Sequence, residues 1–136
     1  MKAKSPRVYI IDDDQVVILL HKMQVVRQRL VENIEVFVDA RKALESIFSI
    51  GCEDQKILIF LDINMPEMNG WEFLSLLQKQ TNALEIKVII VTSSLSKSDR
   101  KKSAEFKMVI DFWEKPMVAD QLLKLREKLG DWLLGN

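Results

Sequence analysis

Cysteine is almost missing. The one present, Cys52, can neither form a disulfide within the chain nor build a cysteine-rich zinc site, so a reducing cytoplasmic setting is the expectation. Histidine is equally scarce: His21 stands alone in a helical stretch, without the four-helix setting that a phosphohistidine donor needs. Net charge is zero, with twenty basic residues against twenty acidic ones, which excludes nucleic-acid binding driven by a strong positive field. Long apolar runs are absent too. The run that follows Lys2, Lys4 and Arg7 is too short for a secretory signal core or a membrane span. With 48% hydrophobic and 29% charged residues, and only four glycines and three prolines, nothing supports a disordered or collagen-like chain.

What is present is a rhythm. The length of 136 residues fits one domain, expected to fill residues 1–136 with a core from about 7 to 134 and no tail left for a second. Five short apolar runs read as strands: Val8 to Ile11, Ile34 to Val38, Ile57 to Leu61, Val88 to Val91 and Val109 to Phe112. They are nearly continuous rather than alternating, as strands covered on both faces of a parallel sheet are. Amphipathic stretches separate them. The first, Gln15 to Leu30, is expected to bury Val16, Leu19, Leu20, Met23, Val26 and Leu30. The second, Ala40 to Ile50, should turn Leu44, Ile47 and Phe48 inward and end at Gly51. A third runs from Gly70 through Leu77, and a weakly apolar fourth spans Ser98 to Phe106. The last, Ala119 to Leu134, lines up Leu122, Leu125, Leu129, Trp132 and Leu133. Five strand-helix units imply a three-layer α/β fold, a doubly wound parallel sheet with right-handed crossovers.

In such sheets ligands bind outside the carboxyl ends of the strands. Those ends carry Asp12, Asp13 and Asp14, then Asp62, then Thr92 and Ser93, then Lys115 before Pro116. Singly, each has a plain structural role: Asp14 as a helix N-cap, Asp12 and Asp13 as solvated turn residues, Thr92 and Ser93 as turn hydroxyls, Lys115 as a surface charge. Asp62 is different, because it follows Phe60 and Leu61 and precedes Ile63, where an unpaired carboxylate is expensive. Brought into one crevice, the acids would repel one another and call for a hard divalent cation. Magnesium, which prefers oxygen ligands and a substrate phosphate, fits that description.

With these residues in place, the chain resembles the receiver domain of two-component signalling, in the single-domain form typified by CheY. The likeness rests on Ile10-Ile11-Asp12-Asp13-Asp14, on Leu61-Asp62-Ile63-Asn64-Met65-Pro66-Glu67-Met68-Asn69-Gly70, on Val91-Thr92-Ser93-Ser94 and on Lys115-Pro116. It implies a flavodoxin-like (βα)5 sheet of order 2-1-3-4-5. It also implies that Asp62 accepts a phosphoryl group, that Asp12, Asp13, Asp62 and the backbone carbonyl of Asn64 hold Mg2+, and that Lys115 and Thr92 bind phosphoryl oxygens. Thr92 and Phe112 would be the switch pair, with Phe112 where the family often has tyrosine. The bond before Pro116 is commonly cis in the family. Asn64 and Ser94 lie where the family tunes the lifetime of the phosphoryl group.

The resemblance further implies a histidine kinase or phosphotransfer protein as phosphodonor, docking near the first helix. An unidentified protein target follows, with no direct contact to nucleic acid or membrane. A phosphorylation-dependent homodimer through the last strand and its flanking helices is an open branch. Such a protein is no enzyme in the usual sense, since it catalyses only its own phosphorylation and dephosphorylation. Of the three tryptophans, Trp71, Trp113 and Trp132, the second is expected at an exposed edge facing a partner. Two rival readings are a degenerate receiver that binds partners without phosphorylation and a phosphatase of the haloacid dehalogenase type. The phosphatase would need a second aspartate where Asn64 stands.

Overall fold

The structure, a computed structural model, describes residues 6–30, 33–50, 55–79, 85–93 and 96–134. Cys52, Gly51 and Ser94 lie outside the described residues. Five strands, β1 (Arg7–Ile11), β2 (Ile34–Phe37), β3 (Lys56–Leu61), β4 (Glu85–Thr92) and β5 (Val109–Glu114), form one parallel sheet of order β2-β1-β3-β4-β5. The helices are α1 (Gln15–Arg27), α2 (Ala40–Phe48), α3 (Gly70–Leu77), α4 (Lys97–Ser103), α5 (Ala119–Leu129) and a short α6 (Asp131–Leu134). The (βα)5 expectation holds, and the fold is flavodoxin-like.

Strand residues alternate between two cores, which is why the runs are apolar throughout. Val8, Ile10, Leu58, Phe60, Ile89 and Val91 pack against α1 and α5, through Ile18, Val25, Leu122 and Leu125. Tyr9, Ile11, Ile57, Ile59 and Leu61 pack on the other side against α2 and α3, through Ala43, Ile47, Phe73 and Leu77. Side-chain caps fix where the helices start. Asp14 accepts from the amide of Val16 at 2.9 Å, Asp39 from that of Arg41 at 2.9 Å, and Asn69 forms a reciprocal capping box with Glu72.

Five expectations are corrected. The buried stripe of α1 is Ile18, His21 and Val25, whereas Val16, Leu19, Leu20, Met23 and Val26 are 48% to 64% exposed. The helix is apolar on nearly every side, so periodicity does not fix its phase; the Asp14 cap and the turn out of β1 do. Leu30 lies beyond α1, which ends in a Schellman motif: Arg29 takes φ 50°, the Leu30 amide donates to the Val25 carbonyl, and Leu30 drops into the core. Phe48, expected inward, is 43% exposed. The final helix breaks at Gly130, whose φ of 49° no helical residue adopts. Trp113, expected at an exposed edge, is buried with its ring 5.8 Å from that of Phe60, because β5 turns it toward the α5 side. By contrast, α4 buries no residue, as its thin apolar content suggested.

Candidate functional site

Each functional side chain stands just past, or at, the carboxyl end of a strand, and the parallel register brings those ends together. The amide of Asp62 donates to the carbonyl of Ile11 at 3.0 Å, and that of Asp12 donates to Phe37 at 3.1 Å, which aligns β2, β1 and β3 at their tips. Across the sheet, the Lys115 amide donates to the Thr92 carbonyl at 2.7 Å, joining the ends of β4 and β5. Lys115 precedes Pro116 through a cis peptide bond, the form the resemblance pointed to.

The acids meet at one point. Asp12, Asp13 and Asp62 each offer a carboxylate oxygen such that all three lie within 4.8 Å of one another. Asp12 and Asp62 are buried while Asp13 is exposed, so the cluster is open on one side. The Lys115 ammonium reaches in, 2.6 Å from Asp12 Oδ2 and 3.4 Å from Asp62 Oδ2. The lysine thus sits closer to Asp12 than to Asp62. Asp12 Oδ1 accepts from the Asp14 amide at 2.9 Å, and Asp62 Oδ1 from the Asn64 amide at 3.3 Å.

Electrostatics here are unfavourable for the carboxylates. Burial first, and then the negative charge of Asp12, push the Asp62 pKa up to about 6, against the opposing pull of Lys115. Burial also raises that of Asp12, with Lys115 and the Asp14 amide pulling the other way. For Lys115 burial opposes the charged form, but the bond to Asp12 and the charges of Asp62 and Asp12 outweigh it and raise its pKa. One ammonium for three acids leaves a deficit of positive charge. An all-oxygen donor set with a deficit of positive charge is what a hard divalent cation suits.

Thr92 completes the crevice. It is fully buried at the end of β4, and its hydroxyl has no hydrogen-bond partner among the described residues. A buried polar atom left unpaired is costly and calls for a reason. Phe112, one strand over, is half-buried, with the Arg100 guanidinium of α4 at 5.7 Å from its ring centre. The loop after Asp62 is closed by Gly70: its amide donates to the Ile63 carbonyl at 2.8 Å, and a Cβ there would lie 2.8 Å from both the Asp62 carbonyl oxygen and the Ile63 Cα. Only glycine lets α3 begin so close to the acid.

The sequence pointed to all of these residues, but not to a link behind them. His21, read as a lone helical histidine, is 2% exposed, and its Nε2 accepts from the amide of Met117 at 3.3 Å, two residues past Lys115. Its spacing of three from Ile18 and four from Val25 was the signal, hidden by the neighbouring apolar residues.

A family model described as the response regulator receiver domain matches residues 8–127. The chain belongs to that family. Among solved structures, this receiver domain is similar to a two-component response regulator from Cytophaga hutchinsonii, with 27% identity and a TM-score of 0.79 over 94% of this chain and 98% of that one. It is also similar to a CheY-like receiver domain protein from Methanospirillum hungatei, with 25% identity and a TM-score of 0.74 over 98% and 100% of the two chains. The two-component response regulator ARR5 of Arabidopsis thaliana is 37% identical over 90 residues, covering 62% of this chain and 46% of its own length. This receiver domain therefore spans about half the length of the curated relatives it matches. Among the described residues no helix is long and apolar enough to cross a membrane.

Proposed function

We propose that this receiver domain is a phosphoacceptor switch in which Asp62 takes a phosphoryl group from a phosphohistidine donor. The supporting observation is the convergence of three carboxylates, one ammonium and an unpartnered buried hydroxyl at the ends of four strands. Asp12, Asp13, Asp62 and the backbone carbonyl of Asn64 would hold Mg2+, which when bound neutralises charge on the transferring group.

The chain's own residues do the rest. A carboxylate oxygen of Asp62 attacks phosphorus, the P–N bond of the donor breaks, and an acyl phosphate forms while the imidazole leaves. Lys115, already within 3.4 Å of Asp62, exchanges that contact for a phosphoryl oxygen. Thr92 donates its free hydroxyl to another. Positioning and charge stabilisation of this kind carry most of the catalysis in phosphoryl transfer. The domain so used turns over only its own phosphoryl group.

Phosphorylation adds up to about two negative charges and three acceptor oxygens at Asp62. Thr92 is drawn toward them, and the space it leaves is next to Phe112. Because α4 has no buried side chain, it is the helix that a small displacement moves most easily. The phosphodonor, a histidine kinase or phosphotransfer protein, docks on the apolar face of α1 formed by Val16, Leu19, Leu20, Met23 and Val26. The cytoplasm is the setting for this exchange, and the output passes to another protein.

Incubation with acetyl phosphate and Mg2+ tests the reading by intact-mass measurement. One acid-labile phosphoryl group should appear on the wild-type chain and none on Asp62→Asn. Equal labelling of both, or multiple turnover of an added phosphate ester, would remove Asp62 from this role.

A further inference from the structure

Lys115 is held from three directions. Its backbone amide is tied to Thr92, and its ammonium spans Asp12 and Asp62. The third hold lies in the core between the sheet and α1. Pro116 has no amide proton, so the first backbone donor after Lys115 belongs to Met117. That donor is buried, Met117 being 3% exposed, and its acceptor is His21 Nε2 at 3.3 Å, 96 residues away in sequence. His21 itself is 2% exposed in the middle of α1, between Ile18 and Val25. A neutral imidazole that accepts at Nε2 carries its proton on Nδ1. Burial, with the charge of Lys115 adding to it, keeps the ring neutral by pushing its pKa down to about 4.

We propose that His21 is a positioning residue for Lys115: by accepting from the Met117 amide, it ties the loop that carries the site's ammonium to the helix that receives the phosphodonor. The inference rests on the reading of the chain as a phosphoacceptor. An apolar side chain of similar size could fill the same space but would leave the Met117 amide without an acceptor, and the loop would drift to find one. Small displacements of a catalytic charge lower rates steeply, by up to about a hundredfold for 1 Å. Pressure on the outer face of α1 is then felt at the lysine through a single buried hydrogen bond. Donor docking and placement of the ammonium are mechanically joined.

The full chain is phosphorylated by acetyl phosphate with Mg2+ as wild type, His21→Leu and His21→Gln, and thermal melting is followed beside the rate. Long-range 15N–1H correlation spectra of the wild type report the imidazole tautomer. The Nδ1–H tautomer is expected, together with a rate about tenfold lower for His21→Leu. His21→Gln, whose Oε1 can accept from Met117, should recover most of that rate. An Nε2–H tautomer, a wild-type rate in His21→Leu, or a loss in His21→Gln as large as in His21→Leu would overturn the proposal. Should His21→Leu fail to fold, the tautomer and the rate of His21→Gln decide it. If the wild type takes up no phosphoryl group, the phosphoacceptor reading falls and this inference with it. Labelled wild type with indistinguishable variants would remove this inference alone.

Discussion

The two ends of the sheet treat polar groups in opposite ways. At the amino ends of β3 and β4, Lys56 and Lys87 lie 5.6 and 5.2 Å from the centre of the Trp132 ring. The Trp132 indole donates to Glu85 at 2.7 Å, and Lys56 donates to the Trp132 carbonyl at 2.9 Å. Lys56, Glu85 and Lys87 each have a partner, and α6 is clamped across these strand starts. At the carboxyl ends two buried acids share one lysine, a third acid stands beside them, and the Thr92 hydroxyl has no partner among the described residues. The starts of β3 and β4 are satisfied, whereas the carboxyl ends are left wanting positive charge and hydrogen-bond acceptors. The difference separates what holds this fold together from what it is for.

Substitutions can break that contrast from either side. The largest effect is expected for Asp62→Asn, which abolishes phosphoryl uptake in the mass measurement. Because it also relieves repulsion among the three acids, its melting temperature without metal should rise above that of the wild type. Lys115→Gln comes next: the rate with acetyl phosphate falls by roughly a hundredfold or more, the scale for removing one preorganised charge-stabilising group. Unlike Asp62→Asn, it should melt below the wild type in chelator, since two buried carboxylates lose their cation.

At the strand starts, Trp132→Ala should lower unfolding free energy by roughly 2 kcal/mol in urea titrations, less than a fully buried tryptophan would cost. Phosphorylation should be untouched by it. Thr92→Val removes an orphaned hydroxyl at nearly constant volume and should stabilise the unphosphorylated domain by about 1 kcal/mol. The same change should weaken the response of α4 amide shifts to phosphorylation.

The last expectation concerns His21 and shows itself only as pH is lowered. Its pKa is 6.5 as a free side chain and about 4 in the fold, so between those values the unfolded chain binds a proton that the folded chain refuses. Stability from this group is therefore full above about pH 6.5 and is lost as pH falls toward 4. Wild type should lose on the order of ten degrees more of melting temperature over that window than His21→Gln does. Parallel curves would mean that the buried ring is not the titrating group.

The candidate site was legible in the sequence because its residues break local rules. Asp62 interrupts an apolar run, and acids, hydroxyls and a lysine follow strands one after another. The sheet followed from runs of Val, Ile and Phe. The phase of α1 was not legible, since Gln15–Arg27 is apolar on both faces and the count of apolar residues favours the wrong one. Trp113 was misplaced because strand alternation, and not its size, decides which side of β5 it takes. The irregularity between Val88 and Ile89, where the register against β5 shifts, has no signature in either strand. Strand beginnings were missed for a simpler reason: Lys56, Glu85 and Lys87 are charged residues at the rim, where the sheet meets solvent and the Trp132 clamp.

On the phosphoacceptor reading proposed for Asp62, Gly70 bears on how a signal would leave that residue. With backbone set against backbone behind Asp62, the start of α3 and the loop after Asp62 form one solid piece, and no side chain lies between them to yield. Motion begun at Asp62 by the proposed phosphorylation would be barred on the α3 side. It would run the other way, across β4 toward the loosely seated helix at the far edge, so that the absence of a single carbon atom would give the proposed switch its direction.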